Sequence, residues 1–322
     1  MDVSRANPWT RRRLFLVSGS IAALLLVPLD PVVVAAQEAS PVAEEEALPE
    51  GVSLEFLVQA VAEELPAAPA QVGLYRITID PGASDEFEPA PGVELVLLEA
   101  GALVLRFEGT ATVIRAGATG TPVAQGEVTL GAGDAFLNPG DIGFAVRNDG
   151  AESAQVLGVG VFPAGEDEAP AEGTPAADAE MDMAEGITYQ PLAYGVATEL
   201  PAQPAVLGLV RLTLDPGASA PPEEPHPGPE LVVVESGSGA VTFTSGEAYV
   251  FRGLGMATPG AEPAGELAAI GKEITFEAGD AFFAQTGSVE EARNLGDEPA
   301  VVLVGFLAPT GHEEAEHGTP MP

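Results

Sequence analysis

The chain repeats itself, and no other feature limits its fold as tightly. The stretch LPAAPAQVGLYRITIDPGAS from Leu65 returns as LPAQPAVLGLVRLTLDPGAS from Leu200. EVTLGAGDAFLNPG from Glu127 returns as EITFEAGDAFFAQTG from Glu273, and VRNDGAESAQVLGVGVF from Val146 returns as ARNLGDEPAVVLVGFL from Ala292. The offset grows from 135 residues at Leu65/Leu200 to 146 at Asn148/Asn294, so the second copy carries insertions, mostly between Arg252 and Gly271. Its 322 residues suit two domains of ordinary size. Two lobes are therefore expected, at 52–164 and 187–309. An acidic Ala/Pro-rich stretch at 165–186 joins them and reads as a linker, with an acidic segment at 37–51 and a tail at 310–322.

Each copy reads as strands. Tyr75, Ile77 and Ile79 alternate with Arg76 and Thr78, and Val210, Leu212 and Leu214 alternate with Arg211 and Thr213. Leu103, Leu105 and Phe107 continue the period of two, which marks half-buried strands. Turn signals interrupt them at Asp80-Pro81-Gly82, Glu99-Ala100-Gly101, Ala132-Gly133-Asp134 and Asn148-Asp149-Gly150. Short strands between closely spaced turns predict an all-β antiparallel sandwich or small barrel in each copy.

Before the repeats, TRRRLFLVSGSIAALLLVPLDPVVVAAQ places arginines ahead of an apolar run and a small-residue site at Val34-Ala35-Ala36. This is the layout of an export signal over residues 1–36, similar to the twin-arginine type, with cleavage expected after Ala36 and a secreted or cell-envelope destination. Membrane attachment is expected only if this leader stays uncleaved.

The net charge is −37, which works against binding to nucleic acid or anionic lipid and favours cations as counter-species. There is no cysteine, which removes disulfides and thiolate metal sites. Lys272 is the single lysine, no phosphate-cradling Gly-x4-Gly-Lys motif occurs, and no Gly-x-Ser-x-Gly elbow supports a serine hydrolase. The histidines after the leader are His226, His312 and His317, of which the last two lie in the acidic tail and read as solvated.

The glycine and asparagine framework resembles the cupin family, and its duplication resembles a bicupin. Gly82, Glu88, Ala90, Glu94 and Gly101 fall on the family's first motif, with Gly217, Glu224, His226, Glu230 and Gly237 in the second copy. Gly133, Pro139, Asp141, Phe144 and Asn148 fall on the second motif, with Gly279, Gln285, Gly287, Glu290 and Asn294 in the second copy. The resemblance implies two tandem cupin-type barrels of the jelly-roll, double-stranded β-helix kind, packed face to face; the linker by itself equally permits independent lobes. It also implies a metal position inside each barrel.

In the first copy that position would fall to Glu88, Ala90, Glu94 and Phe144. A methyl and a phenyl group donate nothing to an ion, so this lobe reads as metal-free and structural. In the second copy it would fall to Glu224, His226, Glu230 and Glu290, an oxygen-rich set that suits Mn, Mg, Ca or Fe better than Zn or Cu, with Mn or Fe the cofactors expected. The opposing reading places the proline-dense loop around His226 at the barrel mouth, with the imidazole turned outward. Glu94 and Glu230 share one position and read as ligand-binding carboxylates, or as strand carboxylates paired with an arginine such as Arg76, Arg106 or Arg211. No catalytic residue is assigned.

The leading functional reading is an exported, non-catalytic module that binds a small ligand or divalent cation, or is structural. One alternative is a Mn- or Fe-dependent cupin enzyme, such as an oxygenase, isomerase or decarboxylase, working in the second lobe. Another is an acidic surface interaction protein, and self-association into a homo-oligomer stays open.

Overall fold

The computed structural model describes residues 48–118, 120–164, 183–221, 224–256 and 265–310. The leader with its cleavage site after Ala36, most of the acidic segment and linker, and the tail with His312 and His317 lie outside the described residues. Within them the chain is almost entirely β-structure. The one helical element is a turn of 3-10 helix at Leu254–Met256. Among the described residues no helix is long and apolar enough to cross a membrane.

The first copy contributes β1 (Val52–Ala62), β2 (Ala70–Ile79), β3 (Ser84–Phe87), β4 (Val93–Ala100), β5 (Ala102–Ile114), β6 (Thr121–Gly131), β7 (Ala135–Asn138), β8 (Phe144–Arg147) and β9 (Ala154–Pro163). The second contributes β10 (Ile187–Ala197), β11 (Ala205–Leu214), β12 (Ser219–Ala220), β13 (Glu230–Ser236), β14 (Ser238–Ser245), β15 (Ala248–Phe251), β16 (Glu266–Leu267), β17 (Glu273–Glu277), β18 (Ala281–Ala284), β19 (Val289–Asn294) and β20 (Ala300–Pro309). In the first lobe one sheet runs β10-β2-β9-β4-β7-β5-β8-β3 and curls on itself, because the long β5 pairs with β6, β7 and β8 along its length. In the second lobe a sheet ordered β1-β11-β20-β13-β18-β15-β16 faces a smaller one, β12-β19-β14-β17.

The lobes exchange their opening strands. β1 precedes the first lobe in sequence yet pairs with β11 of the second, Val52 opposite Leu214 and Ala62 opposite Ala205. β10 opens the second copy yet pairs with β2 of the first, Ile187 opposite Ile79 and Ala197 opposite Ala70. Each of the sequence units 52–164 and 187–309 therefore contributes its opening strand to the other unit's sheet. Alternation cannot reveal this, since it tells which face of a strand is buried and not which strand lies beside it.

Face-to-face packing follows from strands that are apolar on both sides. On β4, Val93, Leu95 and Leu97 join a core shared by both lobes, while Val96 and Leu98 face the first barrel's interior. On β13, Leu231 and Val233 join the shared core, while Val232 and Val234 face the second barrel. Leu74, Leu157 and Val159 of one lobe meet Leu207, Leu209, Leu303 and Leu307 of the other in that shared core. Each such fully buried side chain contributes roughly 1.5–3 kcal/mol. The half-buried expectation for β2 therefore holds only toward its C-terminal end, since Ala70 through Tyr75 are all buried.

A polar quartet crosses the same boundary. Arg76 pairs with Glu99 at 2.6 Å and with Glu235 of the other lobe at 2.9 Å. Arg211, its repeat counterpart, pairs with Glu235 at 2.6 Å and with Glu99 at 3.3 Å. Burial alone would raise Glu235, but hydrogen bonds from Arg211 and Arg76 outweigh it and hold the carboxylate below its ordinary range.

The shared framework residues act on the backbone. Asn148 donates to the carbonyls of Ile79 and Glu152 and accepts from Gly150 N–H. Asn294 repeats this with Leu214, Glu298 and Gly296. Asp141 stands where the second copy has Gly287, and both adopt positive φ, 54° and 83°. Aspartate is among the few non-glycine residues that tolerate that conformation.

Candidate functional site

The end of the second barrel gathers one imidazole and two carboxylates. Glu230 opens β13, Glu290 lies on β19, and His226 sits in the proline-rich loop between β12 and β13. The loop is tied inward by two backbone hydrogen bonds, from His226 N–H to the Ser288 carbonyl and from Gly287 N–H to the His226 carbonyl, each 2.9 Å. His226 is 6% exposed, so the outward-pointing reading of this loop is corrected. Proline does keep the loop out of the ladder, but the two ties turn the ring into the barrel.

The ring lies between the carboxylates. Nδ1 is 3.0 Å from Glu230 Oε2, and Nε2 is 2.8 Å from both oxygens of Glu290. Burial by itself would lower the His226 pKa; the charge and hydrogen bonds of Glu230 and Glu290 outweigh it and place it well above the ordinary histidine value. Burial raises Glu290, and the hydrogen bond with His226 offsets only part of that. One donor atom from each of the three residues lies within 4.8 Å of the others. Glu224 is not in this group: it lies on the exposed side of the loop.

The triad borders a cavity of about 100 Å³. Its walls are apolar, with Val210, Val232, Val241, Phe282 and Val304 among them. Arg293 also borders it, but its guanidinium pairs with Glu273 and is half exposed at the rim.

The equivalent space in the first barrel is filled. Phe144 stands where Glu290 stands in the second copy; its ring stacks on Phe87 at 4.8 Å and packs on Phe136 at 5.6 Å and Phe107 at 6.1 Å. Glu94, the counterpart of Glu230, accepts a hydrogen bond from the Tyr75 hydroxyl at 2.8 Å. Its partner is thus a tyrosine and not the expected arginine, because Arg76 and Arg211 are committed to the quartet and Arg106 to Glu86. Burial raises the Glu94 pKa, and the tyrosine bond only partly opposes this. Tyr75 fits because Gly158 lies directly across the ladder, where a Cβ would come within 2.2 Å of its ring. In the second copy the same two ladder positions are Val210 and Val304, which line the cavity. Sequence reasoning missed Tyr75; the signal was available as a tyrosine facing a glycine where the other copy has two valines.

The triad can hold and share protons, bind a cation, or supply one nitrogen and two carboxylates to an ion. No protein-family model matches the sequence, and no curated protein matches it significantly. Among solved structures, the chain is similar to an oxalate decarboxylase of Lactobacillus farciminis in complex with formate, at 14% identity, 77% of this chain, 80% of that chain and a TM-score of 0.41. A cupin 2 conserved barrel domain protein from Leptotrichia buccalis aligns at 14% identity over 90% of this chain and 96% of that one, with a TM-score of 0.31. An oxalate decarboxylase of Bacillus subtilis aligns at 15% identity, 81% and 74% coverage, and a TM-score of 0.40. The described residues themselves form two units of curled antiparallel sheet that share one apolar core.

Proposed function

We propose that this protein is an exported two-barrel binding module in which the first barrel is metal-free scaffold and the second captures a small ligand at His226, Glu230 and Glu290. One observation carries the reading. At matched positions the first barrel has Ala90 and Phe144 and is packed with phenyl rings, whereas the second has His226 and Glu290 beside a cavity. A duplicated domain that fills one interior and keeps polar groups facing space in the other has its binding chemistry in the second. Isothermal titration of the full chain with small cations tests this. Saturable binding lost on Glu290→Ala and kept on Phe87→Leu is expected; binding insensitive to Glu290 overturns it.

A second reading, a metal-dependent enzyme, is favoured by the three donor atoms lying within 4.8 Å of one another. One nitrogen and two carboxylates fit a hard divalent ion such as Mn or Fe, which His226, Glu230 and Glu290 would hold. When bound, the ion supplies Lewis-acid polarisation of a substrate oxygen. The chain's own part would be to release protons from its two imidazole–carboxylate hydrogen bonds and to keep water out with the apolar walls. Elemental analysis separates the readings: near-stoichiometric Mn or Fe, lost on His226→Ala and Glu290→Ala, supports the enzyme.

A further inference from the structure

The cavity's chemistry specifies a ligand class more narrowly than the binding reading on which this inference rests. Two hydrogen bonds run from the ring, one to each carboxylate. Two carboxylates and one imidazole thus stand at one end of a cavity otherwise walled mainly by apolar side chains such as valine and phenylalanine. A buried charge without compensation is costly. No basic head group among the described residues supplies it, because the Arg293 guanidinium is turned to the rim and held by Glu273. We propose that the second barrel binds small amphipathic cations: a primary ammonium head placed against Glu230 and Glu290, with a short hydrocarbon tail along Val210, Val232, Val241 and Val304.

Charge and shape both select against the obvious competitors. A carboxylate-headed molecule would set like charge against Glu230 and Glu290, and Arg293 is already paired with Glu273. A strongly hydrated, tail-less cation would leave the apolar walls without contact. An ammonium with a tail satisfies both ends, since its three N–H donors match acceptor-only carboxylate oxygens and its methylenes displace water from the cavity.

The test uses the full chain at constant ionic strength, with n-propyl-, n-butyl-, n-pentyl- and n-hexylammonium chlorides, the sodium carboxylates of the same lengths, and MnCl2. Binding is read by calorimetry and by the shift in thermal midpoint. Ammonium affinity is expected to rise by roughly threefold to fourfold per methylene until the cavity is full and then stop, with no saturable binding of the carboxylates. Glu290→Gln should weaken hexylammonium by roughly tenfold or more. Val232→Phe, which fills the cavity and leaves the charges, should abolish the dependence on tail length. Carboxylates binding as well as ammoniums would overturn the proposal. So would ammonium binding without length dependence, which would mark attraction to the acidic surface. If Mn2+ alone binds, this inference fails while a ligand site in the second barrel stands. If nothing binds saturably, both fail.

Discussion

The two barrels share a backbone plan and differ in what fills them. Phe107 and Phe136 of the first have phenylalanine counterparts, Phe243 and Phe282, in the second. Tyr75, Ala90, Glu94, Phe144 and Gly158 correspond to Val210, His226, Glu230, Glu290 and Val304. In the first barrel the retained carboxylate is quenched by one tyrosine hydroxyl, and the rest of the space is phenyl. In the second the carboxylate keeps company with a histidine and a second carboxylate, and space remains. A duplicated fold can thus be kept whole by turns and shared core while its interiors diverge, because the side chains that set the turns are not those that line the barrel.

The strongest way to break this comparison is to move the second barrel's chemistry into the first. Phe144→Glu would place a carboxylate among Phe87, Phe107 and Phe136 without an imidazole, and a loss of about 4 kcal/mol in denaturant-measured stability is expected. A loss below about 1 kcal/mol would show that the phenyl plug is not structural. Next in size is His226→Ala, which leaves Glu230 and Glu290 facing each other without their shared partner, at a cost of about 3 kcal/mol near neutral pH. The double change His226→Ala with Glu290→Phe copies the first barrel's pattern. It is expected to recover most of that stability while removing ligand binding, and failure to recover would mean the two interiors are not interchangeable.

Smaller effects sharpen what the barrels share. A double-mutant cycle on Arg211 and Glu235 should give a coupling of about 1–2 kcal/mol, with a similar value across the lobes for Arg76 and Glu235. Because Glu235 is held below its ordinary value of 4.5, this contribution is complete above that pH and is lost as pH falls through the lower folded-state value. Smallest is Tyr75→Phe, with about 1 kcal/mol lost at neutral pH. Glu94 titrates in the opposite sense. Its folded-state pKa is raised, so its favourable, protonated form is present below the unfolded value and is lost as pH rises through the folded one. The Tyr75 hydroxyl favours the ionised carboxylate, so the Tyr75→Phe loss should shrink on acidification, as the Arg211→Ala loss does, but starting at higher pH because Glu94 is raised and Glu235 lowered. Unfolding curves across acid pH for the two variants check both signs.

The turn framework was legible in the residues because turn chemistry is local. Gly82, Gly101, Gly217 and Gly237 all adopt positive φ, and Asn148 and Asn294 bond the Glu152 and Glu298 carbonyls of their own turns. The candidate site was legible only in part. His226, Glu230 and Glu290 come together, while Glu224 of the same motif lies exposed in the loop and outside that group. Tyr75 as the partner of Glu94 was not foreseen, because the room for its ring comes from Gly158, a ladder neighbour on a strand far along the chain.

From the amino acids alone came the duplication, the all-β lobes and the contrast between Phe144 and Glu290, since repetition, alternation and side-chain chemistry are written residue by residue. Tertiary structure alone decided the exchange of β1 and β10, the inward turn of His226 and the space beside it. Those depend on which surfaces pack together, and strands of equal period pack equally well on paper with either neighbour.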